Sequence, residues 1–410
     1  MTPQVVLGVG GGIAAYKACE LLRLLREAGN EVRVVPTQAA LHFVGQATWE
    51  ALAGHPVSAA VWDDVHLVPH VSIGQQADLV VVAPATADLL ARAASGRADD
   101  LLTSTLLATR APVVFAPAMH TEMWEHPATV ANVATLRSRG AIVIDPDVGR
   151  LTGSDSGAGR LPEPQSLLGV CRAVLDRGAV AADLVGRNVV ISAGGTREPI
   201  DPVRYIGNHS SGRQAWALAS AAAARGAHVT VVAANVRAPS PAGATVHHVG
   251  TASELRDQMV ARAAGADIVI MAAAVADFRP VDESATKIKK DAVGAAPAPI
   301  ALERTADVLA ELAASRDGDA PFLVGFAAET ATGQQELIDL ATNKLVNKGA
   351  DLLVANEVGP GKGFESRDNQ VVLVDSFGVV GSTDLTSKEA VANAILDAVS
   401  ARLRGAVGQA

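Results

Sequence analysis

Two stretches of the sequence hold residue types that can do chemistry on small anions. The first is Gly10-Gly11-Gly12, which follows the β-branched run QVVLGV and opens the Ala/Leu-rich run IAAYKACELLRLL. A glycine turn between a strand and a helix offers backbone amides and the positive end of the helix dipole to a phosphate. Ile13 and Ala15 stand where a dinucleotide fingerprint needs glycines, and the next strand, EVRVVPTQ, ends on Thr37 rather than an acid. Ribose recognition of a dinucleotide is therefore disfavoured, and a mononucleotide such as FMN is more compatible. The second stretch is GGTREPIDPVRYIGNHSSGR (194–213), which holds Asn208 and the helix entry Ser210-Ser211-Gly212. Hydroxyls and amides at such an entry can receive phosphate. Lys287-Ile288-Lys289-Lys290 is a compact basic cluster on an expected loop after a strand at 266–273, and Lys344 and Lys348 share one helical face. Both sets can neutralise a triphosphate. GPGKG (359–363) has the wrong spacing and context for a Walker A loop.

Three further loops fall at carboxyl ends of expected strands, where open α/β sheets place ligands. They are Pro84–Asp88 with Thr86, Pro117–His120 with Met119, and GRLTGSDSGAGR (149–160). The last contains Gly153, Ser154, Asp155 and Arg160 and reads as a mobile loop of lid type. His70 follows Pro69 and precedes a helix start, VSIGQQADLV. On its own, a lone histidine of this kind carries no assignment.

The elements that must position these groups come in two similar sets. Residues 4–35 and 188–233 each read as a β-branched run, a glycine-rich turn, an Ala/Leu-rich helix ended by glycine, and a second β-branched run. That is a β-turn-α-β unit with a parallel sheet. Later runs keep the rhythm: ADLVVVAPA (77–85), APVVFAPA (111–118) and AIVID (141–145), then ADIVIMAAAVADF (266–278), PFLVGFAAET (321–330) and ADLLVANEV (350–358). The expectation is two consecutive Rossmann-like, doubly wound α/β domains with mainly parallel sheets. The helix SLLGVCRAVLDR (166–177) closes the first, which places the boundary near residue 183 and gives domains 1–182 and 183–410.

Composition agrees with this class. The 410 residues are 49% apolar but only 3% aromatic, so the core is built from Ala, Val, Leu and Ile. A formal charge of −9 and the scarcity of aromatics speak against nucleic acid or an anionic membrane as partner. The two cysteines, Cys19 and Cys171, cannot build a disulfide framework or a four-cysteine zinc site. Without a signal-peptide pattern or a long apolar run, a soluble cytoplasmic protein is expected.

Taken in order and spacing, several motifs resemble the bacterial family of bifunctional phosphopantothenoylcysteine decarboxylase / phosphopantothenate–cysteine ligases of coenzyme A biosynthesis. They are GGGIAAYK (10–17), His70, ADLVVVAPATAD (77–88), PAMHTEM (117–123), SAGGTREPIDPVRYIGNHSSG (192–212), AAAVADF (272–278), KIKK (287–290) and GFAAET (325–330). The resemblance runs from about residue 4 to 400. It implies a flavodomain of the cysteine decarboxylase type in which FMN oxidises the substrate thiol, CO2 leaves, and re-reduction gives 4'-phosphopantetheine. His70 matches the family's catalytic histidine. Gly10, Gly11, Gly12, Thr37, Thr86 and Met119 would hold FMN.

The resemblance further implies a CTP-dependent ligase in the second half. The carboxylate of 4'-phosphopantothenate attacks the α-phosphate of CTP with Mg2+ (or Mn2+) on the phosphates, pyrophosphate leaves, and the cysteine amine displaces CMP. Asn208 would steady the acyl cytidylate and Lys287 would support turnover. Ser210, Ser211, Gly212, Met271, Ala272, Ala273, Asp277, Lys287, Lys289, Ala306, Asp307, Val308, Phe326, Lys344 and Lys348 would contact CTP. Three places depart from the pattern: His120 stands for the asparagine that binds the substrate carboxylate, Gly153 for the clamp cysteine that returns a proton, and Thr305-Ala306 departs from the family's Asn-Pro-Asp-type nucleotide loop. Ser154, Asp155, His120 or water would then supply that proton; the alternative is an active ligase whose flavin domain is mainly structural or regulatory. The family resemblance also implies a homo-oligomer, with trimeric flavodomains and dimeric ligase domains, up to a dodecamer.

Overall fold

The computed structural model describes residues 2–59, 68–151, 155–178, 182–288, 299–358 and 368–407. The chain forms two compact units. The first comprises Met1–Val185 with Ala223–Gly226 and Pro239–Gly243; the second comprises Gly186–Ala222, Ala227–Ala238 and Ala244–Ala410.

The first unit runs β1 (Gln4–Val9), α1 (Ala15–Glu27), β2 (Glu31–Pro36), α2 (Gln46–Ala53), α3 (Pro69–Gln76), β3 (Leu79–Ala85), α4 (Ala87–Ser95), α5 (Leu101–Ala108), β4 (Val113–Pro117), α6 (Thr121–Trp124), α7 (Pro127–Ser138), β5 (Ile142–Val143), β6 (Asp147–Arg150), β7 (Ser156–Arg160) and α8 (Pro164–Arg177). Five strands form one parallel sheet in the order β2-β1-β3-β4-β5. Every residue of β3, LVVVAPA, is buried, as a parallel strand covered on both faces requires. One cover is α1, whose Ala15, Ala18, Leu21, Leu22 and Leu25 recur at helical spacing and turn inward with α8. The other is built from α4, α5 and α7, with Leu89, Leu90, Leu102 and Leu136.

The second unit runs β8 (Asn188–Gly194), β9 (Arg197–Pro199), β10 (Tyr205–Gly207), α9 (Arg213–Ala224), β11 (His228–Ala234), β12 (Ala244–Val249), α10 (Ala252–Ala263), β13 (Ile268–Met271), β14 (Phe278–Pro280), β15 (Leu302–Arg304), α11 (Val308–Ser315), β16 (Phe322–Glu329), α12 (Gln334–Lys348), β17 (Leu352–Glu357), β18 (Asp368–Asn369), β19 (Val372–Asp375), β20 (Gly378–Ser382), β21 (Thr386–Ser387) and α13 (Lys388–Val407). Its main sheet has the order β12-β11-β8-β13-β16-β17-β19-β20. The pairings from β12 through β17 are parallel, and β19 and β20 close the edge antiparallel.

The α/β class with mainly parallel sheets is thus the observed one, with local corrections. Residues 147–150 and 156–160 are strands rather than loop, because β6 and β7 pair antiparallel from Asp147↔Arg160 to Arg150↔Ser156. His70 lies inside the first turn of α3 rather than ahead of a helix, since Pro69 occupies its first position. The long run 266–278 enters the main sheet only over Ile268–Met271, and its last residue, Phe278, opens the separate strand β14. No helix among the described residues is long and apolar enough to cross a membrane.

One motif residue has a folding role. Glu198 on β9 is 3% exposed, and its Oε1 accepts the backbone N–H of Ala252, the first residue of α10, at 2.9 Å. A carboxylate there satisfies an orphan amide and complements the helix dipole. Replacing Glu198 by Ala should destabilise the chain by about 1–3 kcal/mol, with Gln costing less, as read from urea unfolding followed by circular dichroism.

Candidate functional site

In the first sheet the chain adds β2 on one side of β1 and then β3 on the other, so the strand order reverses between β1 and β3. A ligand crevice opens at the carboxyl ends of strands at such a switch point. Gly10, at the end of β1, donates its N–H to Pro84 O at 3.0 Å. A Cβ on Gly10 would lie 2.4 Å from Pro84 O, and one on Gly11 would lie 2.3 Å from Ala39 Cβ. The turn is therefore wedged between the loops that follow β3 and β2, which only hydrogen at these positions allows. Thr37 N–H donates to Val9 O at 2.9 Å, and Thr86 caps α4 by accepting the Leu89 N–H at 3.3 Å. Gly10–Gly12, Thr37 and Thr86 are thus gathered on one edge, as an adaptable cradle for a phosphate-bearing ring cofactor.

The remaining first-unit residues come from two other segments. Val68, just before Pro69 and His70, adopts φ 45° and ψ 62°. A β-branched residue in the left-handed region is strained by about 1–2 kcal/mol. The His70 Nδ1 is buried without a hydrogen-bond partner. Met119 is half-buried, and His120 stands exposed as the residue capping α6. The hairpin β6–β7 sits on this segment: Met119 N–H donates to Gly159 O at 3.0 Å. A Cβ on Gly159 would lie 2.1 Å from Met119 O, and one on Gly157 would lie 2.2 Å from Thr121 Oγ1. That threonine hydroxyl is the second buried, unpartnered polar atom of this region. Orphaned buried donors and acceptors cost free energy unless a ligand or water meets them. With the glycine cradle, they fit a bound flavin and substrate. The hairpin base is fixed by Arg160 pairing with Glu163, and Lys17 Nζ donates to Glu163 at 3.2 Å and to Leu161 O at 3.1 Å. Asp155 is exposed; Gly153 and Ser154 lie outside the described residues. Neither cysteine is near a clamp role: Cys19 and Cys171 pack in the core between α1 and α8, and burial pushes the Cys171 thiol up to about 12.

The second sheet reverses between β8 and β13, and there a cavity of about 850 Å3 opens. Its walls include Asn208, Ser210, Ser211 and Gly212 from the entry to α9, and Met271, Ala272, Ala273 and Asp277 after β13. Ala306, Asp307 and Val308 open α11 on another side, with Phe326 from β16 and Lys344 and Lys348 from α12. Gly212 has φ +73°, and a Cβ there would press on Val236 at 2.8 Å, so the turn into α9 needs glycine. Asn208 Nδ2 donates to Val275 O at 3.0 Å, which fixes the plane of its amide. Lys344 pairs with Glu329 at 2.9 Å and Lys348 pairs with Asp307, whose other oxygen caps α11 through the Ala310 N–H. Lys287 is exposed and is not part of the lining; Lys289 lies outside the described residues.

Comparison with known proteins decides the family. Residues 1–175 match the flavoprotein family model, and residues 184–403 match the model of the DNA/pantothenate metabolism flavoprotein C-terminal domain. The coenzyme A biosynthesis bifunctional protein CoaBC of Mycobacterium tuberculosis (strain ATCC 25618 / H37Rv) is 55% identical over 408 residues, 98% of this chain and 97% of that protein. The chain belongs to the CoaBC family. The CoaBC of Vibrio cholerae is 43% identical over 396 residues, 96% of each chain. Among solved structures, the C-terminal domain of a CoaBC is 33% identical with a TM-score of 0.46, covering 55% of this chain and 100% of that one. As a CoaBC-family member, the protein is a bifunctional enzyme of coenzyme A biosynthesis, with a flavoprotein decarboxylase domain and a ligase domain.

Among the cavity residues that escaped the sequence reading of this CoaBC-family chain are Asn356, Asn369 and Lys388. They come from β17, β18 and the start of α13, where neither a glycine turn nor a charge cluster marks them. The structure also ties the KIKK segment to the motif 194–213. Asp201, 2% exposed, accepts the N–H groups of Val203 and Arg204 at 2.9 Å each and of Ile288 at 3.2 Å, and Arg204 donates to Ile288 O at 3.0 Å. The Arg204 guanidinium and these amides hold the Asp201 carboxyl well below the usual carboxylate range. A carboxylate with a depressed folded value stabilises fully above its ordinary value of about 4 and loses that contribution only as pH falls further. Asp201→Asn should therefore lower the melting temperature at pH 7, and the gap to the unsubstituted protein should narrow only below about pH 4. A gap that closes between pH 7 and pH 5 would contradict the Asp201–Arg204–Ile288 tie.

Proposed function

We propose that residues 1–182 form an FMN-dependent phosphopantothenoylcysteine decarboxylase domain and residues 183–410 a CTP-dependent phosphopantothenate–cysteine ligase domain. The observation that carries this reading is convergence: residues scattered from Asn208 to Lys348 line one cavity at the switch point of the second sheet. Activation is needed because a carboxylate is a poor acyl donor until one of its oxygens becomes a phosphate leaving group. In the ligase reaction the carboxylate of 4'-phosphopantothenate attacks the α-phosphorus of CTP and pyrophosphate departs. The amine of cysteine then displaces CMP from the acyl cytidylate, giving the amide. Asn208, its amide plane set by Val275 O, would donate its remaining N–H to the acyl carbonyl. Ser210, Ser211 and Gly212 offer hydroxyl and amide donors to phosphate at the N-terminus of α9. Lys344 and Lys348 would exchange their carboxylate partners for the nucleotide. Lys287, with Lys289 beside it, would reach the phosphates from the segment that Asp201 anchors. No group of three His, Cys, Asp or Glu side chains among the described residues could hold a metal. Mg2+ would accordingly be held largely through the nucleotide phosphates.

In the first domain, Gly10–Gly12, Thr37, Thr86 and Met119 would hold FMN, which supplies two-electron oxidation and re-reduction of the substrate carbon bearing sulfur. His70 would handle the thiol proton, through an imidazole whose buried Nδ1 awaits a partner. His120 would donate a hydrogen bond to the substrate carboxylate. With Gly153 in the clamp, the final proton would come from Ser154, Asp155, His120 or water. Gly153 also supports a second reading, in which the first domain binds flavin but does not turn over; a yellow protein that makes the ligation product and releases no CO2 would establish it. A cytoplasmic homo-oligomer, with trimeric flavodomains and dimeric ligase domains, follows from the same family reading. Exposed Val203, Tyr205 and Phe278 beside the ligase motif support a self-association surface.

Incubation with 4'-phosphopantothenate, cysteine, CTP and Mg2+ should yield CMP, pyrophosphate, CO2 and 4'-phosphopantetheine. Asn208→Asp should abolish cysteine-dependent product while leaving flavin absorbance unchanged. Loss of the yellow colour instead would show that the domains are misassigned.

A further inference from the structure

One cation of the ligase cavity has no part in the reaction described so far. Lys388 is the first residue of α13, is only 8% exposed, and lines the cavity. Its ammonium has no hydrogen-bond or ion-pair partner among the described residues. Only its backbone is held: Lys388 O accepts from Gln214 Nε2 at 3.0 Å. The larger influences on this place oppose a positive charge. It sits at the positive end of a 20-residue helix, it is buried, and Arg213 adds repulsion. Burial first, and Arg213 second, pull its pKa below the ordinary lysine value, against the weaker pull of Glu389 and Asp368. A largely buried lysine on a cavity wall, whose ammonium has no partner among the described residues, has the character of a group kept for a ligand.

The second, independent feature is what it faces. The N-terminus of the 12-residue helix α9 opens on the same cavity, with the Ser211 and Gly212 entry at its head. Gln214, in the first turn of α9, is bonded to the Lys388 carbonyl and accepts from Asn369 Nδ2 at 3.5 Å. This cross-link keeps the buried ammonium beside a helix end that already attracts anions.

The geometry points to Lys388 as a phosphate-binding residue that completes, with the N-terminus of α9, an anion site in the ligase cavity. The assignment rests on the ligase reading above. Two phosphates share the required chemistry, the triphosphate of CTP and the phosphate of 4'-phosphopantothenate. An anion there would pair the ammonium.

The test uses the full-length protein and the variants Lys388→Met and Lys388→Arg. Three quantities are measured: Kd for CTP with Mg2+ by calorimetry, KM for 4'-phosphopantothenate in CMP release, and the melting temperature without substrates. Lys388→Met should weaken one phosphate constant at least tenfold while leaving the melting temperature unchanged or higher, because a buried unpaired charge is gone. Lys388→Arg should recover most of the loss. An effect confined to CTP assigns the triphosphate, and one confined to KM assigns the other substrate. Constants within twofold of the unsubstituted protein, or a lower melting temperature with both constants unmoved, would overturn the assignment and make Lys388 structural. An unsubstituted protein that binds no CTP would overturn the ligase reading and this assignment together.

Discussion

Both units depend on one topological constraint: a parallel sheet grown outward from a central strand must reverse direction once. At that reversal, between β1 and β3 and again between β8 and β13, successive crossovers leave the sheet on opposite faces. The loops on either side diverge, and their backbone amides and helix starts are left facing a gap. Gly10 and Gly11 belong to the first such loop, and Gly194 to Gly212 to the second. What each gap can bind follows from small residues at the loop necks, where a single Cβ would collide with the neighbouring backbone. The side chains that distinguish one chemistry from another are mounted mostly on these loops, whereas the wholly buried strand β3 provides rigidity.

Charge is distributed in a way the total conceals. The chain carries 43 acidic and 34 basic groups, yet the second cavity collects Lys344, Lys348 and Lys388. Two of these are held by carboxylates, Glu329 and Asp307, which keep the cations in place and soluble before a ligand arrives. Buried acids of the same motif serve structure. Glu198 caps a helix, and Asp201 gathers backbone amides from two loops. A motif that looks chemical along its whole length is therefore partly a frame.

Much of this was legible in the sequence because the strongest signals are local. Runs such as LVVVAPA and IVIM announce buried strands, and glycine turns before Ala/Leu-rich stretches announce where helices begin. Many of the residues named for the ligase site line one cavity because they lie at the ends of such strands or at the helix starts beyond them, whereas Lys287 stays outside it. Residues 147–160 were harder. GRLTGSDSGAGR has neither alternation nor β-branched side chains, and its pairing is dictated by contact of Gly157 and Gly159 with the Met119–Thr121 segment, a tertiary matter. Lys388 was illegible for a similar reason. In SKEAVANAIL it reads as an ordinary solvated lysine at a helix start, and only the packing of Gln214 and Asn369 beside its backbone reveals that it lies on a cavity wall.

The ligase cavity draws its walls from Asn208 at one extreme and Lys388 at the other, so it is among the last parts of the protein to exist during synthesis. A ribosome releases the first unit's sheet, and domains fold as they emerge. While the flavin cradle can therefore be complete on a nascent chain, the second pocket stays open on one side until the start of α13 leaves the exit tunnel. A transcript broken upstream of that helix would encode a coloured protein whose nucleotide pocket is unfinished. The order of the two units along the gene thus fixes which half of the enzyme survives premature termination.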